Sequence, residues 1–400
     1  MKKTIKLALV VGLALSSTSV FATNGSALIG VGAKARGMGG VGIGMSHGAE
    51  SALSNPALIT DVKDTEISFG GTIFMPNVSY DNGVGAGLKD SDADMNIIPA
   101  VAVASRVNEN FYWGVGIWGT AGMGTDYRSE ASNFNMVTNL QLMQFGLPLA
   151  YKTGAISIAI TPIIQYGALD INYDTDPNTN GSTGEGIAQD LKFGYNFGVT
   201  YEMKNITVGA VYKSKIDMDY KNQLPTAMAG FGVAYTNTEL STPEEFGLGI
   251  SYTMDKHTFG IDYSRIKWSD AKGYEDFMWE DQDVYALGYE YKTLSWALRA
   301  GYNYATSPIS EQSYAGTNSA GLSSTLVNTL NLLGFPAITE SHYTFGGTYN
   351  MNSTTSIDLA LTYASEATDT YTVMNQDGTT RSITTKHAQT GITAQVNFVF

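Results

Sequence analysis

Hydrophobic and polar residues alternate one for one over long stretches of this chain. Phe193, Tyr195, Phe197, Val199, Tyr201 and Met203 fall on one side of such a stretch, and Lys192, Gly194, Asn196, Gly198, Thr200 and Glu202 on the other. Ile156, Ile158, Ile160 and Pro162 alternate with Ser157, Ala159 and Thr161. Trp296, Leu298, Ala300 and Tyr302 oppose Ala297, Arg299, Gly301 and Asn303, and Ile357, Leu359 and Leu361 oppose Asp358, Ala360 and Thr362. A period of two puts successive side chains on opposite faces of a strand. Applied along the chain, the rule predicts about fourteen strands, near 65–80, 95–106, 111–120, 137–152, 155–173, 189–203, 205–220, 244–254, 257–267, 282–292, 294–305, 342–350, 354–364 and 388–400.

Strand length and turn asymmetry separate a membrane barrel from a soluble sandwich, which also alternates. Many of the strands reach the roughly 9–11 residues that a tilted membrane strand needs. Short connections lie near Asn108-Glu109, Thr153-Gly154, Lys204-Asn205, Asp255-Lys256 and Thr293. Long ones cover 81–94, 121–136, 174–188, 221–243, 268–281, 306–341 and 365–387. Short turns at one end and long loops at the other are the asymmetry of an outer-membrane barrel. The expected fold class is therefore all-β: a transmembrane antiparallel barrel of about fourteen strands over residues 65–400.

Residues 23–64 do not alternate. They are rich in small residues and carry the isolated charges Lys34, Arg36 and Glu50. A compact plug, or hatch, inside the barrel is expected there. Ahead of it, Lys2, Lys3 and Lys6 precede the short apolar run 7–15, and Val20-Phe21-Ala22 offers small residues for cleavage. Residues 1–22 thus predict a signal peptide and a mature start at Thr23. Two of the long loops are apolar: residues 224–235, and a segment with Leu322, Leu326, Leu330 and Leu333 at helical spacing. Such loops either capture greasy ligands or pack together and cap the barrel.

Composition changes the picture in a few places. Mean hydropathy is −0.07, yet a barrel hides its apolar face in every second residue. There are 44 glycines and 24 tyrosines, suited to tight strands and interfacial girdles, and no cysteine, which removes disulfides and thiolate metal sites. A net charge of −14 argues against a nucleic-acid partner. Gly37-Met38-Gly39-Gly40-Val41-Gly42 matches G-x-G-x-x-G without the strand–helix context a dinucleotide site needs. His47, His257, His342 and His387 show no metal-ligand spacing. No catalytic motif stands out, so neither an enzyme nor a cofactor is expected.

Ser54-Asn55-Pro56-Ala57-Leu58-Ile59-Thr60 resembles the NPA segment in the hatch of the FadL-type long-chain fatty acid transporters. Tyr112-Trp113-Gly114-Val115-Gly116-Ile117 is similar to that family's third strand and Tyr212-Lys213-Ser214-Lys215-Ile216-Asp217 to its seventh. Thr242-Pro243-Glu244 resembles the entry to the eighth strand, and Lys267-Trp268-Ser269 the segment after the ninth. The chain's end on Phe400 resembles the closing strand of bacterial outer-membrane barrels. The resemblance implies a fourteen-stranded barrel with a hatch, in the outer membrane of a Gram-negative cell. It implies passive uptake of hydrophobic molecules, long-chain fatty acids first, aromatic hydrocarbons as the alternative. A general porin and a structural surface protein are the rival classes. Expected partners are the hydrophobic ligand and outer-membrane lipid with lipopolysaccharide, with the barrel acting as a monomer.

The resemblance also supplies candidate sites. Asn55, Pro56 and Ala57 would form the hatch motif. Gly119, Gly122 and Gly124 would permit an inward kink of the third strand that opens a lateral gate, since glycine in a strand marks a bend or bulge and tolerates positive φ. Arg299 and Lys192 fall on the lumenal face of their strands, and Lys272 follows the Trp268-Ser269 match. Each is a candidate for a ligand carboxylate; each could equally pair with a wall or hatch acid.

Overall fold

The computed structural model describes residues 23–174 and 182–400. The expected signal peptide lies outside them. Fourteen strands close into one antiparallel barrel: β1 (Thr65–Asp81), β2 (Asn96–Arg106), β3 (Phe111–Asp126), β4 (Val137–Gly146, resuming at Leu149–Thr153), β5 (Ile156–Asp174), β6 (Ala188–Met203) and β7 (Ile206–Lys213), then β8 (Glu245–Met254), β9 (His257–Ile266), β10 (Gln282–Lys292), β11 (Trp296–Ala305), β12 (Ser341–Asn350), β13 (Thr355–Met374) and β14 (Thr380–Val399). Each strand pairs with its sequence neighbours, and β14 returns to β1, with Phe398 opposite Ile67 and Val396 opposite Phe69. Phe400 adds a backbone bond to the Thr65 carbonyl at 2.9 Å.

The faces are inverted relative to a soluble protein. Phe193, Phe345, Leu248 and Leu298 point outward and are exposed, whereas Thr161, Gln165, Thr344 and Asp358 point into the lumen and are fully buried. Only a lipid surround makes that arrangement favourable.

Two strand expectations change. Residues 365–387 are not a loop: β13 and β14 continue past a bulge at Ala364/Ala367 and stay paired to Met374 opposite Thr380. Threonine-rich strand needs no apolar stripe once it rises beyond the lipid, so the alternation that marks membrane strands fades there. Conversely, β7 stops at Lys213; Ser214 still donates to the Tyr195 carbonyl, and beyond it the pairing is reduced to the isolated bridges Ile216–Thr242 and Asp219–Glu239.

The apolar loops cap the barrel rather than form an open groove. Two short helices carry the cap, α1 (Gln223–Gly230) and α2 (Ser324–Leu333). The Ser323 hydroxyl caps α2 by accepting the Leu326 N–H at 3.3 Å. Every residue from Leu326 to Leu333 is buried. The cap is tied to the wall where Thr125 Oγ1 donates to the Leu333 carbonyl at 2.8 Å, and it packs on an aromatic cluster in which Trp268 and Trp279 lie 5.0 Å apart.

Candidate functional site

Residues 23–62 lie against inward-facing wall residues, as where Gly39 N donates to Thr344 and Thr60 meets Ser157. They begin as a two-stranded hairpin, with Thr23 opposite Leu28, and end in two 3₁₀ turns, Gly48–Leu53 and Pro56–Asp61. Between these, residues 37–44 lie against the wall with almost no side chain interposed. Seven consecutive strands, β6 to β12, each turn a glycine inward at this level; Gly209 faces Gly249, and Gly260, Gly288 and Gly301 follow one another across three strands. A Cβ placed on Gly301 would lie 2.1 Å from Gly39 N, one on Gly209 2.0 Å from the Ile43 carbonyl oxygen, and one on Gly346 3.0 Å from Gly37 Cα. The wall is thus cut away to admit a backbone. Polar side chains fix the segment in place: Asp262 Oδ2 accepts from Gly42 N (2.7 Å) and Ile43 N (2.8 Å), and Glu50 Oε1 accepts from Ala35 N (2.8 Å).

The Asn55-Pro56-Ala57 motif sits inside this framework. Asn55 Oδ1 accepts the Ala57 N–H at 3.1 Å and caps the turn that Pro56 begins, while Asn55 Nδ2 donates to the Ile43 carbonyl at 2.8 Å. On the wall, Gly198 leaves room for it; a Cβ there would meet Asn55 Oδ1 at 2.1 Å. The motif therefore joins the last turn of the segment to its glycine-bound arm.

Above this belt lie two adjoining chambers, each of about 90 Å³. They share walls at Ala27, Leu28, Val31, Leu53 and Ile266. Trp118, Leu142, Trp268 and Tyr274 make the first chamber largely apolar and aromatic. Both chambers end on Lys213, whose Nζ lies 2.9 Å from Glu245 Oε2. Among the described lining residues Lys213 is the only cation. It lay within the seventh-strand match, and its place on the polar face of β7 was the available signal. Below the belt is a different cavity, about 330 Å³ and polar, lined by Lys34, His47, Glu66, Glu290 and Arg299.

The three cations singled out from the sequence line neither chamber. Arg299 is buried and bound to Glu290 at 2.7 Å, with Asp358 at 3.8 Å, and faces the lower polar cavity. Lys192 pairs with Asp190 at 3.4 Å. Lys272 stands in an extracellular loop between Glu239 (2.6 Å) and Asp217 (3.4 Å). Its hydrogen bond to Glu239 raises the ammonium above its usual value. All three meet protein acids, the commoner fate of such groups. Among the described residues no cluster of His, Asp or Glu could hold a metal ion.

The third strand bends, but not through glycine flexibility. β3 stays in strand through Asp126, and its ladder with β4 slips between Gly119 and Ala121, so that Thr120 is a bulge. Gly119, Gly122 and Gly124 are all outside the positive-φ region. Gly124 is required for a different reason, since a Cβ there would lie 2.0 Å from the Thr138 carbonyl oxygen. The bend parts β3 from β2. Their ladder ends at Ala100 opposite Trp118, and contact resumes only where Asp92 N donates to the Asp126 carbonyl at 2.9 Å. Between those points the hairpin of residues 23–28 takes up the free edge of β3: Ala27 pairs with Ala121, and Gly122 N donates to the Ser26 carbonyl at 3.2 Å. Outside it, Ile73 and Ile97 are exposed at membrane depth.

The family described as outer membrane protein transport protein (OMPP1/FadL/TodX) matches residues 13–316. The chain belongs to this family. It is an outer-membrane transporter of the FadL/TodX type. A 47 kDa outer membrane protein of Pasteurella multocida is 22% identical over 382 residues, covering 82% of this chain and 86% of its own length. The crystal structure of a Pseudomonas aeruginosa FadL homologue superposes with a TM-score of 0.71 at 16% identity, over 94% of this chain and 100% of the other. The Pseudomonas putida toluene transporter TodX gives 0.70 at 17% identity, over 93% and 99%. At those identities the likeness concerns the fold.

Proposed function

We propose that this barrel takes up amphipathic hydrophobic molecules, long-chain fatty acids first, by binding in the two chambers, displacement of the hatch hairpin and lateral release between β2 and β3. The observation that carries the reading is Lys213, the one cation among the described residues of a largely apolar and aromatic chamber. A carboxylate there exchanges for Glu245 and keeps a charge-assisted hydrogen bond, while its chain lies against Leu28, Leu142 and Trp118. Release downward is disfavoured: residues 37–44 lie along the glycine belt beneath the chambers, and the cavity below them is polar. Moving an apolar chain into such a space costs free energy. The hairpin must move first, because an apolar cavity of roughly 150 Å³ holds one benzene and neither chamber is that large. The complete lumen in one chain and its apolar outer face support a monomer set in outer-membrane lipid and lipopolysaccharide.

The second reading is aromatic hydrocarbon uptake, favoured by the Trp118, Trp268 and Tyr274 walls, and in keeping with the toluene transporter among the structural neighbours. Competition binding to the purified protein separates the two. Dodecanoate is expected to bind and to weaken about tenfold in Lys213→Met, the loss of one charge-assisted contact, with toluene unaffected. Binding of toluene alone, with Lys213→Met silent, would transfer the assignment to hydrocarbons.

A further inference from the structure

On either side of the unpaired β2–β3 stretch lies a buried polar atom without a partner, on the buried Asn96 and on the half-buried Thr120. Asn96 is the first residue of β2. It is 1% exposed, and both its Oδ1 and its Nδ2 lack a hydrogen bond among the described residues. It stands opposite Phe74 on β1, and Phe74 with Ile98, Leu28 and Ala93 forms a small apolar patch between wall and hairpin. On the other side Thr120 is the bulged residue of β3, and it lines the first chamber with its Oγ1 also unpartnered. Extending the last shared register, Ala100 opposite Trp118, would set Ile98 against Thr120, with Asn96 two residues further on the same inward face. Buried amides are almost always hydrogen-bonded, and an exception calls for a cause. The pair occupies the one stretch where β2 and β3 lose their ladder. The position thus offers unsatisfied hydrogen-bonding atoms in apolar surroundings, with Thr120 at the edge of the first chamber.

Resting on the lateral-release reading, we propose that Asn96, assisted by Thr120, is a specificity-determining site of the opening and that it passes a carboxylic acid in its neutral form. An asparagine amide sets a donor and an acceptor side by side in one plane. A protonated carboxyl group presents the complementary acceptor and donor, so the two close a ring of two hydrogen bonds. An ionised carboxylate can only accept, and it would face Oδ1 with a negative oxygen. A hydrocarbon satisfies neither atom. The neutral acid is also the form that enters the bilayer core without the penalty of a buried charge. The site therefore favours the species able to leave. A site built to hydrogen-bond its ligand discriminates strongly against an analogue that lacks the group, so the opening separates fatty acids from hydrocarbons at the exit step, independently of Lys213 in the chamber.

The test compares cellular uptake of dodecanoic acid and of dodecane at matched surface levels of folded barrel, folding being read from heat-modifiable migration. Asn96→Leu is expected to lower the acid-to-hydrocarbon uptake ratio by about tenfold, with dodecane uptake unchanged. Thr120→Val is expected to move the ratio the same way by less. Equal slowing of both probes would reduce Asn96 to packing and overturn the site. An unchanged ratio would mean that water alone meets these atoms, and would overturn it too. If Asn96→Leu does not assemble, Thr120→Val decides by the same two criteria. A covalent lock across the opening separates this failure from failure of the lateral route. Where the lock stops both probes but neither substitution shifts the ratio, the route stands and the site falls; where locked protein imports both freely, route and site fall together.

Discussion

The Asp262 carboxylate on β9 accepts the backbone N–H of Gly42 at 2.7 Å, and the same oxygen accepts from Ile43. One side chain of the wall thus holds the turn at which the lumenal segment changes direction along the glycine belt. Hydrogen bonds to a charged group contribute about 1.5–3 kcal/mol each. Asp262→Ala is therefore expected to loosen residues 42–44 without opening the barrel. Labelling of a cysteine introduced by Ile43→Cys should speed up in the Asp262→Ala background and change less with Asp262→Asn, which keeps one acceptor. Equal labelling in all three would mean that the belt alone fixes the segment.

The belt itself makes a sharper expectation. A side chain at Gly301 would collide with Gly39 N and Met38 C, at 2.1 and 2.2 Å. These are backbone atoms, which cannot swing aside as a flexible side chain would. Gly301→Val should leave strand pairing intact, since β branching suits strands, while forcing residues 37–40 off the wall. The expected outcome is a heat-modifiable barrel whose planar-bilayer conductance is raised several-fold. Wild-type conductance would show that the wall can yield instead.

Asn55 and Pro56 join the two halves of the lumenal segment. Asn55→Ala removes the cap on Ala57, a loss of about 1 kcal/mol, and the tie to the Ile43 carbonyl. With Pro56→Ala added, uptake of a hydrophobic probe is expected to fall at least threefold while surface levels hold. Unchanged uptake at equal expression would reduce the motif to a turn.

The opening between β2 and β3 can be closed covalently. Ile98→Cys with Thr120→Cys places the two thiols where a continued ladder would oppose them, in a chain without native cysteine. Oxidation should slow uptake about tenfold or more, and reduction should restore it. A disulfide tolerates only a narrow range of Cα separation, so formation of the bond also reports that the lips approach. Delivery at the unlocked rate from verified oxidised protein would point to an axial route.

The strands were legible because lipid and lumen impose opposite demands on alternate residues, as at Phe193 to Met203 and Ile156 to Ile164. Where that contrast ends, so does the signal: Thr368 to Val373 form strand above the lipid and read as loop. The lumenal segment was legible from its lack of alternation, its path was not. That path depends on Gly209, Gly260 and Gly301 falling at one level on different strands, and level is a property of register rather than of any single strand. The chamber cation was missed for a related reason. Arg299 and Lys213 both sit on polar faces; only the depth of each strand and the place of its acid, Glu290 or Glu245, tells which one meets the apolar chamber. The ladder of β3 with β4 slips at Thr120, a bulge that composition does not announce.

Along the glycine belt half of the wall, strands β6 to β12, gives up its side-chain volume, and there the backbone of residues 37–44 takes its place. Small polar solutes, antibiotics among them, are held out by whatever keeps residues 37–44 seated. The outer membrane's barrier at each copy of this protein is therefore no stronger than a handful of backbone contacts and the Asp262 carboxylate. A mutation selected to widen substrate range at this level would be paid in drug sensitivity.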